Sequence, residues 1–178
     1  MIGGNGAVGR AALALGKALG ARTLAALRKP EQAERLAAEG HETILLGAPD
    51  HLAAQVAAKL GGGADAIFDT TGAWLPASVP AAALHGALCV IAPPAMGQPK
   101  VEFPVLDFYR RGLTLIGINS LLRDTIACAG MFNEIAGLYA TGALAPPPAP
   151  EQRPLSNGLE AYADVDMGYP HKIVLTPG

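Results

Sequence analysis

Short apolar runs alternate with stretches of helical periodicity along the 178 residues of the chain. Residues 1–2, 22–27, 43–46, 65–69, 87–92 and 113–118 are apolar runs of strand character, several of them bounded by Gly or Pro. The stretches between them space apolar residues three and four apart. Residues 7–19 place Val8, Ala11, Ala12, Leu15 and Leu19 on one side of a helix that Gly20 closes. Pro30 stands at the first position of the next helix, Glu31 and Arg35 form an i,i+4 pair on its wet face, and Gly40 ends it. Asp50 is the expected N-cap of a helix to Leu60, in which Leu52, Val56 and Leu60 recur every fourth residue. Helices over residues 76–85 and from an Asp124 cap to Thr141 follow. The second of these carries Cys128, Met131, Phe132, Ile135, Leu138 and Tyr139 on its apolar face.

Strands separated by helices of this length imply βαβ units with right-handed crossovers, and hence a parallel sheet. The pattern stops at residue 145. The run Ala145-Pro146-Pro147-Pro148-Ala149-Pro150 suits neither helix nor central strand and reads as an extended connector. Beyond it, residues 159–164 form a short amphipathic helix and residues 172–176 a last strand. The expected organisation is one domain over residues 1–145 and a C-terminal segment over residues 146–178.

Composition narrows the function classes. With 51% hydrophobic and 16% charged residues the chain is too apolar to be disordered. Thirteen Lys plus Arg against fifteen Asp plus Glu leave a net charge of −2, so no nucleic-acid or anionic-membrane surface is expected. No run of about 18 apolar residues is free of charge, which argues against a membrane span. No basic region precedes an apolar one at the N-terminus, so no signal peptide is expected, and the expected setting is cytoplasmic. Cys89 and Cys128 lie in apolar stretches with no CxxC pair. His41, His51, His85 and His171 match no metal-binding helix spacing, so neither a disulfide framework nor a metal site is expected.

The chemistry concentrates at strand ends. Gly4-x-Gly6-x-x-Gly9 follows the first apolar residues and opens a helix, the context in which such glycines cradle a dinucleotide. Gly4 permits the tight turn, Gly6 lets a pyrophosphate approach the backbone, and Gly9 lets the helix pack close to the sheet. Gly4, Asn5, Gly6, Ala7, Val8 and Gly9 are thus candidate cofactor-binding residues, with helix N–H groups facing the phosphates. A P-loop is excluded, because Arg10-Ala11 stands where Lys-Ser/Thr would be required. A free ribose 2′-OH calls for an acid about 20 residues past the glycines. Arg28 and Lys29 stand there instead, 19 and 20 residues past Gly9, and favour the 2′-phosphate of NADP(H). Thr70 and Thr71 after the fourth strand, and Ala92 and Pro93 after the fifth, are expected to line the crevice at the carboxyl ends of the strands. Asn119 ends the sixth strand, as a turn former or as a hydrogen-bond partner of a nicotinamide carboxamide. No catalytic acid or nucleophile has a warrant in the sequence.

Taken in order, four segments resemble the medium-chain dehydrogenase/reductase superfamily, in particular its zinc-free quinone oxidoreductase branch. They are Gly3-Gly4-Asn5-Gly6-Ala7-Val8-Gly9, Leu15-Gly16-Lys17-Ala18-Leu19-Gly20-Ala21, Ala66-Ile67-Phe68-Asp69-Thr70-Thr71-Gly72 and Lys172-Ile173-Val174-Leu175-Thr176-Pro177. The resemblance covers nearly the whole chain. It implies a Rossmann-type doubly wound parallel sheet of order 3-2-1-4-5-6, NADP(H) as cofactor, and hydride transfer from the nicotinamide to a conjugated carbonyl or quinone. It also implies a homodimer through the strand at residues 113–118. Relatives carry a substrate domain ahead of this one, to which the C-terminal segment returns. By that comparison the chain is expected to lack that domain and to have a first strand cut to Met1-Ile2, and Gly47 stands where many of the branch carry a Tyr. The alternatives are a non-catalytic truncated nucleotide-binding module and the cofactor domain of a zinc-dependent alcohol dehydrogenase. A short-chain dehydrogenase fits poorly, since Tyr169 and Lys172 are three apart and lie in the tail. With so short a first strand, the isolated chain is expected to be marginally stable, to bind cofactor weakly and to turn over little.

Overall fold

Parallel pairing dominates the backbone, as alternating apolar strands and crossover helices require. The computed structural model describes residues 1–94, 100–147, 149–169 and 171–177, and divides the chain into two units, Met1–Leu144 and Ala145–Gly178. The elements of the first are α1 (Ala7–Ala18), β1 (Leu24–Leu27), α2 (Pro30–Ala38), β2 (Glu42–Leu45), α3 (Leu52–Leu60), β3 (Ala64–Asp69), α4 (Leu75–Ala81), β4 (Ala82–Val90), α5 (Val105–Arg110), β5 (Thr114–Gly117) and α6 (Thr125–Ala140). β1 pairs with β2, and β3 with β4 and β4 with β5, all parallel. Between the two ladders stands a single residue: Ile2 makes parallel bridges to Ala26 of β1 and to Asp69 of β3. Backbone bonds hold it on both sides, with the Ile2 N–H donating to Phe68 O at 2.9 Å and Ala26 N–H donating to Met1 O at 2.9 Å.

Alternation along β1 divides the core. Leu24 and Ala26 join Ile2, Ile44, Leu52, Val56, Ile67 and Leu88 on one face. Ala25 and Leu27 join Leu13, Ala33 and Leu36 on the other. The helix face that meets the sheet from α1 is not the stripe its larger residues suggest. Gly9 and Leu13 are buried, with Ala12 and Gly16 half-buried beside them, whereas Val8 is 49% exposed. Small residues win that face because the helix lies against backbone. A Cβ on Gly9 would stand 2.3 Å from Gly3 O.

Other boundaries moved for local reasons. Pro80 has no N–H to continue the helix expected over residues 76–85, which ends at Ala81, and β4 begins at once. His85 at φ 61° and the following Gly86 then shift the β3–β4 register between Ala64 and Ala66. Asp50 caps nothing: it lies in a 3₁₀ turn, Pro49–His51, that leads into α3. Asp124 caps as expected, its Oδ1 accepting from Ala127 N–H at 2.7 Å. The apolar face expected on α6 is largely bare, with Phe132 70% exposed and only Cys128, Ile135 and Leu138 half-buried. The six-residue α5 has no sequence counterpart. Pro104 is its N-cap, and it packs Phe108 edge-on against Phe103, with ring centroids 5.4 Å apart.

The second unit pairs β6 (Glu151–Pro154) with β7 (Ile173–Thr176), parallel, across α7 (Gly158–Asp166). β6 escapes a search for apolar runs because its residues are Glu, Gln, Arg and Pro. Arg153 ties the unit together, bonding Glu151 at 2.7 Å and Asp164 at 2.6 Å with its guanidinium over the Tyr169 ring.

Candidate functional site

Because the strands are parallel, their carboxyl ends and the loops that leave them share one edge of the sheet. The loop after Ile2 is closed by Gly6 N–H donating to Gly3 O at 3.1 Å. Its four glycines have distinct reasons. Gly3, at φ 78°, makes the turn, and a Cβ there would lie 2.1 Å from Thr70 Oγ1. That role belongs to Gly3, not to Gly4 as the motif suggests. Gly4 is buried, and a Cβ on it would press on Ala25 Cβ at 3.0 Å and Leu13 Cδ1 at 3.3 Å. Gly9 seats α1 against the loop backbone.

Gly6 is different. Its φ of −71° and ψ of 165° suit any residue, and a Cβ there would meet only Gly3 O, at 3.6 Å. It is the N-cap of α1 and offers no side-chain cap, and the first helical bond is Arg10 N–H to Gly6 O at 2.9 Å. The N–H groups of Ala7, Val8 and Gly9 therefore have no helical acceptor, and the space above them is open at Gly6. Neither the conformation nor the packing of the protein requires glycine at this position. The cradle fits an anionic diphosphate held by helix N–H groups.

Asn5, the other candidate in this loop, is held by α2. Its Oδ1 accepts from Arg35 Nη2 at 2.5 Å, so Arg35 faces the glycine loop rather than Glu31. The i,i+4 reading of α2 hid this contact between Arg35 and the glycine loop. Arg28 and Lys29 leave the carboxyl end of β1 fully on the surface, with Lys29 the N-cap of α2. Neither takes part in an ion pair among the described residues. Arg10, by contrast, is taken by Glu39 at 2.6 Å.

At the end of β3, Asp69 is 1% exposed and organises the next loop. Its Oδ1 accepts from the Thr71 N–H and hydroxyl, each at 2.8 Å, and its Oδ2 from Trp74 N–H at 2.8 Å. The Thr70 hydroxyl donates to Ile2 O at 3.0 Å. Both threonine hydroxyls are thus spent on the backbone and on Asp69, and what they present to the crevice is the loop they fix. Gly72, at φ 67°, lies so close to the β4 loop that a Cβ would stand 2.2 Å from Ala92 O. Thr70, Thr71, Ala92 and Pro93 are therefore brought together, and their loops join the glycine loop through Gly3, Ile2 and Thr70. Asn119 lies two residues past β5, next to Ile118, whose N–H donates to Val90 O of β4 at 2.9 Å. Its Oδ1 accepts from Leu121 N–H at 3.0 Å as the cap of a 3₁₀ turn, which leaves the amide nitrogen as its donor. The signal for this arrangement lies in the sequence, where a strand-end acid is followed by Thr-Thr-Gly, a turn-forming run.

Residues 7–134 match the family model described as zinc-binding dehydrogenase. The chain belongs to the zinc-binding dehydrogenase family. Within the medium-chain dehydrogenase/reductase superfamily its structural likenesses include benzyl alcohol dehydrogenase from Acinetobacter calcoaceticus, at 22% identity and TM-score 0.79, covering 98% of this chain and 48% of that one. A probable oxidoreductase from Mycobacterium abscessus is 27% identical, with TM-score 0.74 over 99% of this chain and 53% of that chain. CurK enoyl reductase is 17% identical, with TM-score 0.74 over 99% of this chain and 53% of that chain. The zinc-binding dehydrogenase chain thus spans about half the length of these structures. No curated protein matches it. Despite the family's name, no group of three or more His, Cys, Asp and Glu lies together among the described residues, so they do not fit a zinc ion. No helix among them is long and apolar enough to cross a membrane.

Proposed function

We propose that this domain binds NADP(H) for an oxidoreductase that reduces a conjugated carbonyl or quinone. The observation that carries the reading is Gly6, a glycine unexplained by its own backbone or neighbours, above three free helix N–H groups. In this reading the N–H groups of Ala7, Val8 and Gly9 hold the pyrophosphate. Arg28 and Lys29 face the 2′-phosphate as paired, exposed cations, and Asn5 with Arg35 closes the adenosine side. Thr70, Thr71, Ala92 and Pro93 form the wall toward the nicotinamide, and the Asn119 amide nitrogen is a donor for the carboxamide. The nicotinamide supplies the hydride when bound. The chain's own residues bind, orient and shield it. The substrate, the compartment (cytoplasmic in this reading) and the return of the C-terminal segment to a substrate domain belong to the same proposal. The likeness to an alcohol dehydrogenase keeps the second reading, the cofactor domain of an alcohol-oxidising enzyme, and a substrate panel on a full-length relative separates the two.

The test is titration of the chain with NADPH and NADH. NADPH is expected to bind more tightly. Arg28→Ala and Lys29→Ala are each expected to weaken NADPH by about tenfold, the order of one charged hydrogen bond, and to leave NADH unchanged. Gly6→Asp caps the free N–H groups with its own carboxylate, so both cofactors should lose affinity while the melting temperature holds or rises. Equal affinity for the two cofactors in the unmutated chain overturns the NADP(H) assignment. Undiminished binding by Gly6→Asp overturns the site.

We also propose a homodimer through β5. Among the described strands β5 pairs only with β4, and Leu115 and Ile116 are each 40% exposed with Ile118 at 44%. An apolar edge of this kind recruits another strand. Sedimentation at micromolar concentration is expected to give twice the chain mass, and a soluble, folded monomer overturns it.

A further inference from the structure

The dipeptide Asn-Gly occurs twice in the chain, at residues 5–6 and 157–158. Asparagine before glycine is open to self-modification, because no β-carbon on the glycine keeps its nitrogen from the side-chain carbonyl carbon of the residue before it. The two copies stand in different surroundings. Asn5 is half-buried in the glycine loop, and its Oδ1 accepts from the Arg35 guanidinium at 2.5 Å. Among the described residues its amide nitrogen has no hydrogen-bond partner. Gly6 is exposed, with open space above it. Asn157 is fully on the surface and is held the opposite way. Its Oδ1 accepts only from the neutral Ser156 hydroxyl, at 3.1 Å, while its amide nitrogen donates to Glu160 Oε2 at 3.3 Å. Gly158 N–H is bonded to Leu155 O, and Gly158 is already the first residue of α7.

We propose that Asn5 is a modification site at which the chain acts on itself with the help of Arg35. The Gly6 nitrogen attacks Asn5 Cγ and gives up its proton to water. The new N–C bond closes a succinimide ring, the Cγ–Nδ2 bond breaks, and the amide nitrogen takes up a proton and leaves as ammonia. Water then opens the ring at either carbonyl, leaving aspartate or isoaspartate at position 5. Arg35 acts on the first step. Negative charge gathers on Oδ1 as the nitrogen adds, and a guanidinium already bonded there stabilises it, as oxyanion donors do. The same arrangement leaves Nδ2 free to depart. At Asn157 the carbonyl has only a hydroxyl, and Glu160 holds the leaving nitrogen. Ring closure also requires Gly6 N–H to release Gly3 O, to which it is bonded at 3.1 Å, so each event needs the loop to open.

The consequence for binding rests on the dinucleotide reading, whereas the ring chemistry does not. Either product places a carboxylate beside the free N–H groups of Ala7, Val8 and Gly9, where it competes with a phosphate and repels it. Isoaspartate also adds a methylene to the backbone of the loop. A pyrophosphate in the open space above Gly6 keeps the loop closed, so occupancy protects Asn5. An empty domain ages and a filled one does not.

The experiment incubates the full chain at neutral pH and follows the peptides carrying residues 5 and 157 by mass spectrometry, each event adding about 1 Da. In the folded chain Asn5 is expected to convert about tenfold faster than the more exposed Asn157, and in urea the two should convert alike. Isoaspartate should be among the products, because only the ring route makes it. Arg35→Ala should slow Asn5 by about tenfold and leave Asn157 unchanged. Three results each overturn the proposal: a folded chain in which Asn5 is no faster than Asn157, aspartate without isoaspartate, or an undiminished Asn5 rate in folded Arg35→Ala. Should that variant unfold, as circular dichroism would report, the rate ratio and the isoaspartate of the unmutated chain decide. Saturating NADPH should slow Asn5 by about tenfold and spare Asn157. NADPH that binds without slowing Asn5 overturns the protection. NADPH that does not bind overturns the dinucleotide reading, and the ratio and the isoaspartate still decide the ring step.

Discussion

Asp69→Ala is expected to destabilise the first unit by about 2–5 kcal/mol, a large part of the 5–15 kcal/mol typical of a whole domain. Three donors converge on this one carboxylate: the N–H and hydroxyl of Thr71 and the N–H of Trp74. Alanine leaves two backbone N–H groups half-buried without an acceptor, at about 1–3 kcal/mol each. Asparagine does not restore the arrangement, since it keeps one acceptor oxygen and turns an NH₂ toward a donor. Asp69→Asn should therefore fall between the wild type and Asp69→Ala. The measurement is denaturant unfolding followed by the fluorescence of Trp74, the only tryptophan, which sits in the loop itself. A change under about 0.5 kcal/mol for Asp69→Ala, the range of an ordinary surface substitution, would show that the loop holds itself. Dinucleotide affinity should fall with stability, because the same loop carries Gly72 against Ala92.

The elements that the sequence revealed and those it hid differ in how far their causes reach. The helices α1, α2 and α3 and the parallel ladders follow from periodicity and from Gly or Pro punctuation, which act within a few residues. The glycine loop was readable as a tight turn that opens a helix, but the division of labour among its glycines was not. Whether a glycine serves φ, close packing or a ligand depends on Thr70, Ala25 and Leu13, which are remote in sequence. The inner face of α1 was misread for the same reason: a helix against backbone hides its smallest residues, and periodicity rewards the largest. β6 is polar and was missed because its strand character comes from pairing with β7, 22 residues on. The exposed face of α6 reverses the usual inference from apolar residues to core. Asn119 shows the limit for polar residues, since capping and ligand contact ask for the same side chain at the same strand end.

Gly9→Ala and Gly6→Ala, three residues apart in one loop, should behave in opposite ways. A Cβ on Gly9 would lie 2.3 Å from Gly3 O, 2.8 Å from Gly4 Cα and 2.9 Å from Gly4 C. All three are backbone atoms, so no side chain can swing away. Either α1 withdraws from the sheet or the Gly3–Gly6 turn opens, and Ile2, bonded on both sides, resists both. Overpacking of this kind costs about 3 kcal/mol, which for a chain of this length lowers the melting temperature by about 6–12 °C. Gly6 has room for a methyl and an ordinary φ, so the gain from stiffening the unfolded chain and the loss of a glycine N-cap nearly cancel. Gly6→Ala should stay within about 0.5 kcal/mol of the wild type. Binding should separate the pair the other way round. In the proposed function a phosphate approaches the Ala7 and Val8 N–H groups where that methyl would stand, so the stable variant should lose NADPH affinity. If Gly9→Ala melts like the wild type, the close approach of α1 to the loop is not a constraint on the fold. If Gly6→Ala binds like the wild type, the open space above the helix N-terminus is not where the dinucleotide lies.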